Sequence, residues 1–182
     1  ADVIPLTAAD PDFPVAPAIR EAISRHALEG VFSYAPAEGL PAFRNTVASG
    51  LLDRRGLAID PNQVFPTNSA ASAMFLAAAL VLAPGDEVVV FDPVDFLFAA
   101  SAEAAGATVV RCPLDELGRF DAGELASLIT PRTRMLTLCS PHNPLGHVLQ
   151  RAELEAFAAL AEQHDLWILS DEVWSDIVYP PH

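Results

Sequence analysis

The sequence contains no lysine. Its ten basic residues are all arginines, set against 24 Asp and Glu, for a formal charge of −14. Without an ε-amino group, these 182 residues hold neither a lysine base nor a lysine nucleophile. So little positive charge argues against binding to a phosphate backbone, which needs a basic face, and nucleic acid is not an expected partner. Only two cysteines occur, Cys112 and Cys139, each inside an apolar run. They are read as reduced core residues of a cytoplasmic protein rather than as a disulfide. No apolar run reaches the roughly 18–20 residues that span a bilayer, so no membrane is expected. The longest, 73–83, stops at Pro84-Gly85-Asp86. The opening Ala1-Asp2-Val3-Ile4-Pro5 lacks the positive flank and apolar stretch of a signal peptide, and with no initiator Met, Ala1 is not expected to be the natural start. Neither a Gly-x-Gly-x-x-Gly nor a Walker-type loop is present, which disfavours a dinucleotide or a nucleoside triphosphate.

What is present is an apolar, ordered chain: 52% hydrophobic and 19% charged residues indicate a packed domain. Helical periods run over 17–29, with Pro17 in the first turn and Gly30 beyond the end, and over 40–53. The turn former Asp60-Pro61-Asn62 precedes an expected short strand at 63–66. A nearly all-apolar helix at 70–82 should be buried on most sides. Apolar strands at 87–91, 108–112, 135–139 and 167–170 then alternate with helices at 96–105, 121–128 and 151–164. Asp121 and Glu124 form a capping-box-like start to the second of these helices. Strands that are apolar throughout and alternate with helices indicate an α/β fold: a doubly wound, mainly parallel sheet with helices on both faces. Residues 1–16 are read as an N-terminal arm or small-domain segment, and 17–182 as one large domain that stops short of completion.

In such sheets ligands bind outside the carboxyl ends of the strands. Four stretches fall there. Thr67-Asn68-Ser69-Ala70-Ala71-Ser72 opens a helix with small residues, and its free N–H groups suit a phosphate, although an ordinary helix cap reads the same way. The Asp92–Phe96 stretch follows the first apolar strand. In Ser140-Pro141-His142-Asn143-Pro144-Leu145-Gly146 two prolines pin a loop from which the Asn143 amide can reach a ligand oxygen; His142 reads as a loop residue. In Ser170-Asp171-Glu172-Val173-Trp174 a carboxylate follows an apolar strand, so Asp171 is either a cap or the counter-ion of a protonated ligand nitrogen.

Taken in order, the small-residue loop, Pro-Gly-Asp before a strand, Pro-His-Asn-Pro-x-Gly and Ser-Asp-Glu-Val-aromatic resemble the fold-type I pyridoxal-phosphate enzymes, the class I/II aminotransferase family. The resemblance spans essentially the whole chain. The start Ala9-Asp10-Pro11-Asp12-Phe13 and the Pro-His-Asn-Pro form look most like the cystathionine β-lyase (C–S lyase) branch. The resemblance implies pyridoxal 5'-phosphate as cofactor, with its phosphate cradled by the backbone of Ser69, Ala70 and Ala71. It implies further that Asn143 meets the phenolic oxygen, Asp171 the ring nitrogen, and that Trp174 stands near the phenolic oxygen. Tyr34 would reach the phosphate of a partner subunit, which implies a homodimer when the protein is complete. Relatives stack an aromatic on the ring at the position of Asp95; Phe96 is next in line. The implied reaction takes the α-proton from an amino-acid aldimine, after which the carbanion loses a β-thiolate or is reprotonated at the cofactor. The family's Schiff-base lysine has no counterpart in these residues, so no catalytic residue is assigned and the 182 residues alone are expected to be inactive. A non-catalytic binding or dimerisation module and a nicotinamide-dependent enzyme are the rival readings; the missing glycine fingerprint disfavours the latter.

Overall fold

The structure, a computed structural model, describes residues 3–4 and 13–180, so residues 9–12 of the N-terminal motif lie outside the described residues. The chain divides into two compact units, Ala1–Pro66 and Thr67–His182.

The first unit carries α1 (Pro17–Glu29) and α2 (Pro41–Arg55), both with proline in the first turn. Each ends on a left-handed glycine, Gly30 or Gly56, at φ 66°, the conformation that closes a helix without a Cβ penalty. The strand expected at 63–66 does not form. Asp60 accepts from Asn62 N (2.8 Å), and Gln63 Oε1 accepts from Asp60 N (3.0 Å). This reciprocal cap winds Pro61–Gln63 into a single 3₁₀ turn and uses up the first residue of the supposed strand. Pro66, with no N–H, could not have donated to a ladder.

The second unit is the α/β domain. Its elements are α3 (Ala70–Val81), β1 (Glu87–Asp92), α4 (Phe96–Ala104), β2 (Thr108–Pro113), α5 (Ala122–Ser127), β3 (Thr133–Cys139), α6 (Arg151–Gln163) and β4 (Trp167–Asp171). The strands form one parallel sheet in the order β2-β1-β3-β4. Alternation along β1 sends Val88 and Val90 into one apolar cluster, with Met74, Ala78 and Phe98 of α3 and α4. Val89 and Phe91 enter another, with Leu125 of α5 and Phe157 of α6. Phe91 stacks on Phe120 at 5.4 Å between ring centres, and Phe157 closes on both rings at 6.0 Å. Both faces of the sheet are thus covered, as the apolar strands require. The buried hydroxyl of Thr137 is satisfied by donating to Val89 O (3.0 Å).

Two burial expectations need correction. Helix α3 buries only Met74 and Ala78 fully, and Leu80 is 85% exposed. Among the described residues strand β4 pairs along one side only, with β3, and Trp167 is 64% exposed. No helix among the described residues is long and apolar enough to cross a membrane.

Candidate functional site

The parallel sheet brings the ends of β1, β3 and β4 to one edge, and the expected ligand residues of the second unit gather there. The β3 chain leaves Cys139 into the loop 140–149, which is braced at almost every step. Ser140 N donates to Asp171 O (3.1 Å), tying the loop to the end of β4. Leu149 N donates to Ser140 Oγ (3.1 Å), and His142 and His147 close a tight turn through His142 N to His147 O (2.8 Å) and Gly146 N to His142 O (2.7 Å). The His147 ring lies against the Glu153 carboxylate (3.0 Å), which also caps α6 by accepting from Gln150 N (2.7 Å). The peptide bonds before Pro93, Pro141 and Pro144 are cis.

Asn143 sits half-buried in this braced loop and lines a cavity of about 360 Å³ together with His142, Trp174 and Tyr179. A neighbouring stretch of the same strand ends lines a second cavity of about 400 Å³. There Ala70 of the α3 N-terminus meets Asp171 and Val173 at the end of β4. Ser69 caps α3, its hydroxyl accepting from Ser72 N (3.1 Å), so the N–H groups of Ala70 and Ala71 belong to the first turn, which has no intrahelical acceptors. Asp171 uses Oδ1 to accept from Val173 N (3.0 Å), a turn bond that leaves a carboxylate's other acceptor capacity for a ligand.

The structure therefore brings Ala70 next to Asp171, and Asn143 next to Trp174. Phe96, at the first position of α4, is 75% exposed, and Tyr34 in the first unit is fully exposed.

Two residues matter more than their sequence context suggested. Asp95 caps α4, accepting from Leu97 N on Oδ1 (2.9 Å), and with Oδ2 accepts from the Asn143 amide (3.0 Å). Its only local signal is that of an N-cap, which says nothing of a partner 48 residues away. His142 is buried. Its Nδ1 accepts from Leu145 N (3.4 Å), which places the ring proton on Nε2, a buried atom without a partner among the described residues. Burial, and then the neighbouring His147, lowers its pKa from the usual histidine value.

Both cysteines are free and buried. Burial pushes the Cys112 thiol up to about 11, with Glu124 and Asp121 adding to it. Cys139 is raised by burial above all. The Asn143 backbone N–H opposes that rise, while the carboxylates of Asp171 and Asp95 reinforce it. Both carboxylates thus lie within electrostatic range of the end of β3.

This donor and acceptor set fits a planar anionic cofactor. Uncommitted helix N–H groups suit a phosphate, an amide at a braced loop suits an acceptor oxygen, and a carboxylate suits a protonated ring nitrogen. Among the described residues no three His, Cys, Asp or Glu side chains are grouped to hold a metal ion.

The family model for aminotransferases of class I and II matches residues 1–182. An arginine–pyruvate transaminase of Pseudomonas aeruginosa is 41% identical over 180 residues, 98% of this chain and 46% of that protein. An aspartate/prephenate aminotransferase of Thermus thermophilus is 36% identical over 180 residues, 98% of this chain and 47% of that protein. Among solved structures, a double mutant of Thermus thermophilus aspartate aminotransferase superposes with a TM-score of 0.93 at 34% identity, covering 97% of this chain and 47% of that one. An Escherichia coli protein with a methionine aminotransferase function gives 0.93 at 31% identity, covering 98% and 48%. The chain spans about half the length of the curated relatives it matches.

Proposed function

The chain belongs to the class I and II aminotransferase family, whose cofactor is pyridoxal 5'-phosphate, and from that premise we propose that it serves transfer of an amino group from an amino acid to a 2-oxo acid. The supporting observation is the gathering of Asn143, Asp171 and the N-terminus of α3 at one edge of the sheet. The alternative of β-elimination with loss of a thiolate starts from the same carbanion. The relatives named above are transaminases, which favours amino transfer.

When bound, pyridoxal 5'-phosphate supplies an electron sink for the carbanion left once an amino acid loses its α-proton. The residues of this chain bind and tune that sink. The first-turn N–H groups of α3 at Ala70 and Ala71, with the helix dipole behind them, hold the phosphate. The Asn143 amide donates to the phenolic oxygen. The Asp171 carboxylate keeps a proton on the ring nitrogen, because a negative charge in contact favours the protonated form. Trp174, which lines the same cavity as Asn143, would stand near the phenolic oxygen, Phe96 would offer its ring to the cofactor, and Tyr34 would serve the phosphate of the partner subunit in a homodimer. These residues contain no lysine, so the amino group that shuttles the proton is not among them.

Asp171→Asn in the full chain tests the reading, since it keeps the shape and removes the charge. Exchange of the substrate α-proton in heavy water should slow about a thousandfold, while substrate binding changes far less. Exchange at nearly the parent rate would reduce Asp171 to the turn cap that its bond to Val173 N already makes it.

A further inference from the structure

We propose that Asp95 is a positioning residue for Asn143, an inference that rests on the reading of Asn143 as a cofactor ligand. The contact joins the turn between β1 and α4 to the loop after β3, across 48 residues of sequence. Both oxygens of Asp95 are engaged: Oδ1 takes Leu97 N at 2.9 Å and Oδ2 takes Asn143 Nδ2 at 3.0 Å. The cap therefore anchors the carboxylate, and the anchored carboxylate in turn orients the amide.

The chemistry of the two groups gives this contact one polarity. A primary amide carries two N–H donors on nitrogen and an acceptor on oxygen, and a carboxylate only accepts. The nitrogen end of Asn143 must then face Asp95, which removes the flipped orientation that would turn the carbonyl oxygen toward Asp95. One N–H is consumed by Asp95 and the second is left for an acceptor oxygen of the bound ligand. Holding the amide in this orientation before binding removes part of the ordering cost that a ligand otherwise meets. The anionic partner also polarises the amide only through the N–H it receives, so its main effect is orientation. Asp95 touches the ligand's donor rather than the reacting atoms.

The test uses the full chain, with pyridoxal 5'-phosphate titrated onto the apoprotein and the visible absorbance of the bound cofactor recorded. Asp95→Ser is the informative change, because serine still caps α4 by accepting from Leu97 N but is too short, with one oxygen, to hold Asn143 as well. Thermal unfolding verifies that the variant folds, and Asp95→Asn, which has one carbonyl oxygen for two donors, provides a second variant of the parent's shape.

Asn143→Ala should weaken cofactor binding by about ten- to a hundredfold, the loss of one hydrogen bond to a charged acceptor. Asp95→Ser should weaken it several-fold, with Asp95→Asn between, and should shift the absorbance maximum in the same direction as Asn143→Ala does. The double variant should bind no more weakly than Asn143→Ala alone, since a positioning residue has nothing left to position. If Asn143→Ala weakens binding but Asp95→Ser leaves affinity and spectrum unchanged, or if the two losses add, the positioning role is overturned and the cofactor role of Asn143 stands. If Asn143→Ala itself leaves affinity and spectrum unchanged, both readings fall.

Discussion

Replacing Glu87 by glutamine should destabilise the α/β unit in a way that depends on pH and leaves the cofactor site untouched. Glu87 opens β1 and is only 4% exposed. Thr130 Oγ1 donates to Oε2; Arg132 donates to Oε1 from Nε (2.9 Å) and from Nη2. The Arg132 side chain is 70% exposed, so the guanidinium lies over a buried carboxylate from the solvent side. The hydroxyl bond from Thr130 and then the bond from Arg132 hold the carboxyl below its ordinary value of 4.5, outweighing the opposing effect of burial. A depressed pKa means that the folded state prefers the ionised form. The stabilisation is therefore complete above 4.5 and is lost as the pH falls through the folded value. Glutamine keeps the shape and loses the charge, and it leaves Arg132 free to be solvated. At pH 7 the cost should be about 1.5–3 kcal/mol, the range for hydrogen bonds to a charged group. As the pH drops below the ordinary value the gap between parent and variant should close, because the parent then carries a protonated carboxyl of nearly the same shape. Urea unfolding across that pH range measures it. Glu87 lies five residue steps from Asp92, about 16 Å along the strand from the carboxyl edge, so cofactor affinity should not move. A cost that is the same at pH 7 and in acid would refute the argument, as would a change in cofactor affinity.

Gly118 adopts φ +80°, and a Cβ there would stand 2.9 Å from His147 Cβ and 3.3 Å from Leu145 Cβ. Gly118→Ala should therefore cost about 1–3 kcal/mol in thermal unfolding and, by pressing on the loop that carries Asn143, weaken cofactor binding; unchanged values of both would count against the bracing of that loop. Cys112, its thiol pushed up to about 11 by burial, should resist iodoacetamide at pH 8 in the folded protein and react once urea unfolds it; rapid native labelling, followed by mass spectrometry, would contradict its place in the core.

The central strands were legible in the sequence because Val88, Val89 and Val90 are apolar at successive positions, as are the residues from Met135 to Cys139 apart from Thr137. Only a strand covered on both faces can use such a run. The same rule over-reached at Trp167 and Ile168. Their composition matches a central strand, but among the described residues β4 pairs on one side alone, and pairing is set by the whole sheet rather than by the five residues. At 63–66 a local interaction is decisive: the reciprocal cap between Asp60 and Gln63 holds the chain in a 3₁₀ turn rather than a ladder. Residues Asn62 and Gln63, read as turn and strand, are two parts of one cap.

The site divides along the same line between local and distant causes. Asn143 and Asp171 were readable because each follows an apolar strand in a short motif, and a parallel sheet puts every such end at one edge. Parallel pairing then gives the register that joins them. Cys139 lies opposite Asp171 across β3 and β4, and the Ser140 N–H reaches the Asp171 carbonyl, so residue 143 is carried to the same edge by a loop three residues longer. What no local pattern could supply is the direction in which an amide faces. That is set by Asp95, delivered by the turn that follows β1, and by a cap bond at Leu97 that leaves one carboxylate oxygen over. An aspartate before a helix has two oxygens and a cap needs one. The partner of the other oxygen is a question for the tertiary structure, and here the answer is the Asn143 amide, whose orientation the candidate site uses.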